Sequence, residues 1–139
     1  MRNSNDKILS HYDIIVIGGG PSGMMAAGAG ADRNKRVLLI EKNPVLGKKL
    51  KITGGGRCNI TNAEPDVRKL LRNFGPSDKF LFSAFSQFGV EDTFNFFQSK
   101  NLPLVTEARM RVFPKSQSAM DVFETMREYV RNPIISIKT

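Results

Sequence analysis

The chain has 139 residues, 40% of them hydrophobic, with 21 Lys and Arg against 13 Asp and Glu for a formal net charge of +8. That composition suits one globular domain with a packed core and excludes wholesale disorder. A single cysteine, Cys58, and a single histidine, His11, exclude an internal disulfide and leave too few ligands for a protein-built zinc site, so no metal is expected.

Residues 1–11 are polar and charged and read as a loose lead-in without a signal-peptide core. No apolar run reaches the about 20 residues of a membrane helix. A cytoplasmic protein with no membrane partner is therefore expected. The positive charge is spread from Arg2 to Lys138, with Lys48, Lys49 and Lys51 as its tight cluster. Scattered charge specifies no groove or base-reading element, so specific nucleic-acid binding is not expected.

The first ordered element is predicted at Ile14–Ile17, a short apolar run of mostly β-branched residues that stops at glycine, as a buried parallel strand does at a tight turn. Met24–Ala31 reads as a helix of small residues, with Gly28 and Gly30 permitting close packing on the sheet. Val37–Ile40 is a second strand ending at Glu41.

The turn between first strand and helix reads Gly18-Gly19-Gly20-Pro21-Ser22-Gly23, which matches G-x-G-x-x-G at Gly18, Gly20 and Gly23. In a dinucleotide fold the first glycine permits the turn, the second lets a pyrophosphate approach the backbone, and the third lets helix pack on strand. Pro21 suits the first helical position, and the free N–H groups beside it, with the helix dipole, favour an anion. Glu41 follows Gly18 by 23 residues, near the spacing at which a carboxylate after the second strand accepts ribose hydroxyls. Strand, glycine turn, helix and strand ending in Glu together point to dinucleotide binding.

Further along, Thr53-Gly54-Gly55-Gly56-Arg57-Cys58-Asn59 combines a freely bending backbone with a guanidinium able to meet phosphate. The pairing of IGGGPSG with GKKLKITGGGRCNITN, and Arg111-Val112-Phe113-Pro114 with Ser116, resembles the aminoacetone-oxidase-like flavoprotein family over Tyr12 to about Thr139. The resemblance implies a Rossmann-like α/β domain and FAD, with NAD(P)H as a candidate electron donor. It implies pyrophosphate contacts at Gly18, Gly20, Pro21, Ser22 and Gly23, and ribose at Glu41. Further cofactor contacts are implied at Lys42, Lys49, Gly55, Gly56, Arg57, Cys58 and Asn59. It names no catalytic residue. For Cys58, which has neither a resolving cysteine nor a histidine nearby in sequence, a packing role is favoured over redox chemistry.

Helices are predicted over Glu64–Phe74, Ser77–Phe88 and Glu91–Lys100. Their many phenylalanines are read as core rather than as a flavin or substrate pocket. Leu102–Thr106 and Met110–Phe113 suggest a small hairpin, and Ser118–Arg131 an amphipathic helix stopped by Asn132-Pro133. Ile134–Ile137 reads as a third strand, placed beside the second in spatial order 3-2-1 by the right-handed crossover rule.

Members of that family are longer than this chain, and three parallel strands leave an edge unpaired. The chain is therefore expected to be an N-terminal portion, a single truncated cofactor-binding domain without the substrate domain. An open edge would suit a complementary chain or self-association. The expected function is the FAD-binding part of an oxidoreductase acting on a small organic substrate. The alternatives are a non-catalytic fragment that needs a partner chain, or a nicotinamide-binding module.

Overall fold

A computed structural model describes residues 11–139, so the lead-in over residues 1–10 lies outside the described residues. In chain order the elements are β1 (Ile14–Ile17), α1 (Pro21–Ala31), β2 (Val37–Ile40), β3 (Thr61–Asn62), α2 (Val67–Leu71), α3 (Asp78–Gln87), α4 (Val90–Ser99), β4 (Leu104–Glu107), β5 (Arg111–Pro114), α5 (Ala119–Tyr129) and β6 (Ile135–Lys138). They fall into two compact units. One holds the described residues up to Ile52 together with Val122–Thr139, and the other is Thr53–Asp121.

The first unit is a Rossmann-like parallel sheet in the order β1-β2-β6, the predicted 3-2-1 arrangement. Register sets Ile14 beside Val37 and Val37 beside Ile135, and Val16 beside Leu39 and Leu39 beside Ile137. Side chains alternate across a sheet, so these six share one face. α1 packs there: a Cβ on Gly30 would sit 3.0 Å from both Ile14 Cδ1 and Val37 Cγ2. Val37 and Leu39 are fully buried, each contributing about 1.5–3 kcal/mol by leaving water. Gly28 has a similar reason to be glycine, because its Cβ would overlap the ring of Tyr129 in α5. The Tyr129 hydroxyl then donates to Asp32 at 2.6 Å just past the end of α1, joining the two helices.

Arg36 and Asp13 fix the strand starts. The Arg36 N–H and Nε donate to Asp13 Oδ2 at 2.8 and 3.2 Å, and its Nη2 to Oδ1 at 3.1 Å. The opposite sheet face is less covered, with Ile15 at 60% and Ile17 at 86% exposure.

The second unit is built on an antiparallel sheet in the order β3-β5-β4. The predicted hairpin is β4 and β5, pairing Val105 with Phe113. β3 was not foreseen, because two residues carry no readable alternation. α2 begins at Asp66, whose carboxylate accepts from the N–H groups of Arg68 and Lys69. It is shorter than expected: a tight turn over Arg72–Ser77 with Gly75 at φ +56° separates it from α3.

The phenylalanines correct an expectation. Phe97 is buried, yet Phe74, Phe82 and Phe88 are more than two-fifths exposed, Phe80 is 86% exposed, and α3 contains no buried residue. Helical spacing put these rings on shared faces without specifying what would pack against them.

Candidate functional site

The glycine turn joins β1 to α1, and each glycine meets a different constraint. Gly18 lies at φ +103°, a region that L side chains rarely adopt, while its N–H donates to Ile40 O at 2.7 Å. A Cβ on Gly19 would come within 2.3 Å of Leu46 Cδ2 and 3.0 Å of Glu41 Cβ. A Cβ on Gly23 would come within 1.8 Å of the Gly18 carbonyl oxygen, so close packing of helix on strand demands glycine there.

Gly20 differs from all three. It caps α1 at φ −78° and ψ −178°, ordinary extended backbone, and a Cβ there would meet nothing within 4 Å. Among the described residues nothing requires glycine at Gly20. The open space beside it is the cradle that a closely approaching pyrophosphate would fill. Pro21 and Ser22, both exposed, open the helix, and Met24 N–H donates to Gly20 O at 2.9 Å. The Ser22 and Gly23 amides precede that bond and stand at the positive end of the helix dipole.

Glu41 lies directly beside this turn. Its Oε2 accepts from Gly19 N–H at 2.7 Å, and its Oε1 accepts from Asn43 N–H at 2.8 Å and from Asn43 Nδ2 at 2.5 Å. The Asn43 N–H, then the Gly19 N–H and the Asn43 side chain, hold this carboxyl below the usual range. An ionised carboxylate with two oxygens offers about four acceptor positions, so one remains open on Oε2 for a ribose hydroxyl. The following turn closes on the same point: Gly47 N–H donates to Gly19 O at 2.8 Å, and Leu46 is buried. Lys42 and Lys49 are exposed in this unit.

The remaining sequence candidates belong to the second unit. Gly54, Gly55 and Gly56 all have positive φ, and side chains on Gly55 and Gly56 would meet nothing within 4 Å. The Arg57 guanidinium is engaged: Nη2 donates to Glu107 Oε1 at 2.5 Å, and the group stacks 4.0 Å over the Phe113 ring. Arg57 in turn holds the Glu107 carboxyl below its usual range. Arg57 Nε is buried with no hydrogen-bond partner among the described residues.

Cys58 is 5% exposed at φ +60°, and burial pushes its thiol up, opposite to the shift that makes a thiolate reactive. Asn59 ties the loop to β5, its Oδ1 accepting from Val112 N–H at 3.3 Å.

The structure therefore gathers Gly18, Gly20, Pro21, Ser22, Gly23 and Glu41 around one turn, while Gly55, Gly56, Arg57, Cys58 and Asn59 form a separate loop. Sequence reasoning missed Gly19, Asn43 and Gly47. Gly19 occupies a variable position of the motif, and the available signal for Asn43 was an amide side chain two residues beyond the carboxylate. The open position at Gly20 and the oriented carboxylate of Glu41 fit the adenosine and pyrophosphate half of a dinucleotide.

Comparison with known proteins identifies relatives of the chain. The chain is 36% identical over 127 residues to the 3-dehydro-bile acid delta(4,6)-reductase of Clostridium scindens, covering 89% of this chain and 30% of that protein. It is 32% identical over 87 residues to the ribosomal RNA dihydrouridine synthase of Escherichia coli, covering 63% of this chain and 22% of that one. The chain thus spans less than a third of the length of either relative.

Among solved structures, the 3-ketosteroid-delta4-(5alpha)-dehydrogenase of Rhodococcus jostii superposes with a TM-score of 0.65 at 14% identity, covering 91% of this chain and 37% of that one. This likeness is one of fold. Residues 12–139 match the HI0933-like protein Rossmann domain, and the chain belongs to that family as an FAD-binding Rossmann domain of the flavin oxidoreductases.

Proposed function

We propose that the chain supplies the cofactor-binding part of an aminoacetone-oxidase-like oxidoreductase acting on a small organic substrate, with NAD(P)H as electron donor. The observation that carries this reading is Gly20, a glycine with ordinary backbone angles and open space at its Cβ position, beside a carboxylate already turned toward the same loop. In this reading Gly18, Gly20, Pro21, Ser22 and Gly23 receive the pyrophosphate, and Glu41 receives the adenosine ribose. Lys42 and Lys49, exposed in the same unit, supply further contacts.

Bound FAD would supply the redox chemistry. The chain's own residues bind and orient it: the α1 N–H groups and dipole offset phosphate charge, and Glu41 accepts a hydroxyl. The two curated relatives differ in what their names say they act on, a bile acid derivative and ribosomal RNA, while sharing this part of the chain. That contrast supports assigning this part to the cofactor rather than to substrate choice. Titrating the protein with FAD and then competing with NAD tests the assignment. Displacement of FAD by comparable NAD would favour the nicotinamide-binding alternative.

A second reading rests on the sheet face that bears Ile15 and Ile17, which are 60% and 86% exposed. A complementary chain that covers this face and pairs with the β1 edge would make the chain one part of a larger assembly. Static light scattering tests self-association. A monomer that stays monodisperse at high concentration would leave only a different partner for this role.

A further inference from the structure

The turn after β2 contains a device that the cofactor motif does not account for. Asn43 gives both its N–H and its side-chain amide to one oxygen of Glu41, and Gly19 gives its N–H to the other. Asn43 is itself constrained, because Pro44 disfavours helical backbone at the residue before it. The turn is then pinned from its far end, where Gly47 N–H donates to Gly19 O at 2.8 Å. Leu46 is buried against the position a Gly19 Cβ would occupy. Glu41 therefore cannot rotate without breaking bonds on both oxygens.

We propose that Asn43 is a positioning residue for the adenosine ribose: by filling Oε1 of Glu41 it leaves Oε2 as the open acceptor, and so sets which ribose hydroxyl is read. This rests on the assignment of Glu41 to the ribose. With Oε1 taking two hydrogen bonds and Oε2 one, Glu41 has room for one hydroxyl rather than two. Replacing Asn43 by alanine keeps its backbone N–H and removes the side-chain donor. That opens a position on Oε1, so both hydroxyls can then be accepted.

The test is calorimetric titration of the chain with ADP, 2′-deoxy-ADP and 3′-deoxy-ADP, which reads the ribose without the flavin. The wild type should bind one deoxy analogue about tenfold more weakly than the other, the scale of one hydrogen bond to a charged acceptor. In Asn43→Ala that preference should fall to about twofold or less. The near-isosteric Asn43→Asp should lose it as well, since it replaces a donor by a like charge, and it serves if the alanine variant does not fold. Wild-type preference retained in the folded variants would overturn the role of Asn43 alone. A wild type that binds none of the three nucleotides would overturn the ribose assignment of Glu41, and this inference with it.

Discussion

The N–H of Gly19 donates to Oε2 of Glu41 at 2.7 Å, joining the middle of the glycine turn to the carboxylate that ends β2. The contact makes the glycine turn and the Glu41 carboxylate, proposed above as the phosphate and ribose sites, one preorganised object rather than two neighbouring motifs. Changing Glu41→Gln should therefore disturb both. One carboxylate oxygen becomes an NH2 group facing the N–H of Gly19 or the donors of Asn43. We expect FAD affinity to fall about tenfold or more, from loss of a charge-assisted acceptor, as measured by flavin fluorescence titration. Unchanged affinity would remove Glu41 from the site.

Gly20 and Gly23 should separate binding from folding. Gly23→Ala drives a Cβ to within 1.8 Å of a backbone oxygen, so a loss of about 3 kcal/mol or more in denaturant unfolding is expected. Gly20→Ala meets nothing, and at an N-cap its cost should stay within about 1 kcal/mol. Its effect should appear in FAD binding instead, because the added methyl occupies the space left for the pyrophosphate.

Asp13 should give the fold a distinct acid response. The Arg36 hydrogen bonds hold its carboxyl at about 2, against an ordinary value of 3.8. A folded-state value below the unfolded one means that the stabilisation is present above the unfolded value and is lost as pH falls through the folded one. The difference in melting temperature between wild type and Asp13→Asn should thus be constant at neutral pH and should shrink between about pH 4 and pH 2. A difference that persists at pH 2 would assign Asp13's effect to something other than its charge.

Arg57 and Glu107 should be coupled, though modestly, because both side chains are about one-third exposed and screened by solvent. A double-mutant cycle with Arg57→Ala and Glu107→Ala should show a small favourable coupling that weakens as salt is added. In the same loop Cys58 should alkylate slowly in the native protein and quickly after denaturation, since it is 5% exposed and its thiol is pushed up. Fast native labelling would contradict the buried, structural role.

The β1-α1-β2 unit and the place of β6 were legible because a short buried run, a glycine turn and a right-handed crossover leave few alternatives. Pro21–Ala31 and Ile135–Lys138 lie within a few residues of their predicted spans. β3 was not legible, because Thr61 and Asn62 are too few to show alternation and are set by pairing with β5. The exposure of Phe80 was not legible either, since spacing reports which residues share a face and not what covers it.

At the site, the glycines and Glu41 could be named from their spacing. Asn43 could not, because its role depends on a turn that brings both its amide groups to one oxygen. Gly19 was similarly hidden, its need for glycine arising from Leu46 and Glu41, more than twenty residues away in the chain.

The proposed FAD site stands or falls with the turn at Gly20. The most direct measurement is the visible absorption spectrum of the purified protein after incubation with FAD and removal of the excess, for wild type and for Gly20→Val. Flavin absorbance should stay with the wild type and be lost from a variant whose circular dichroism is unchanged. A folded wild type that emerges colourless, or a Gly20→Val variant that retains flavin equally well, would contradict the proposed site.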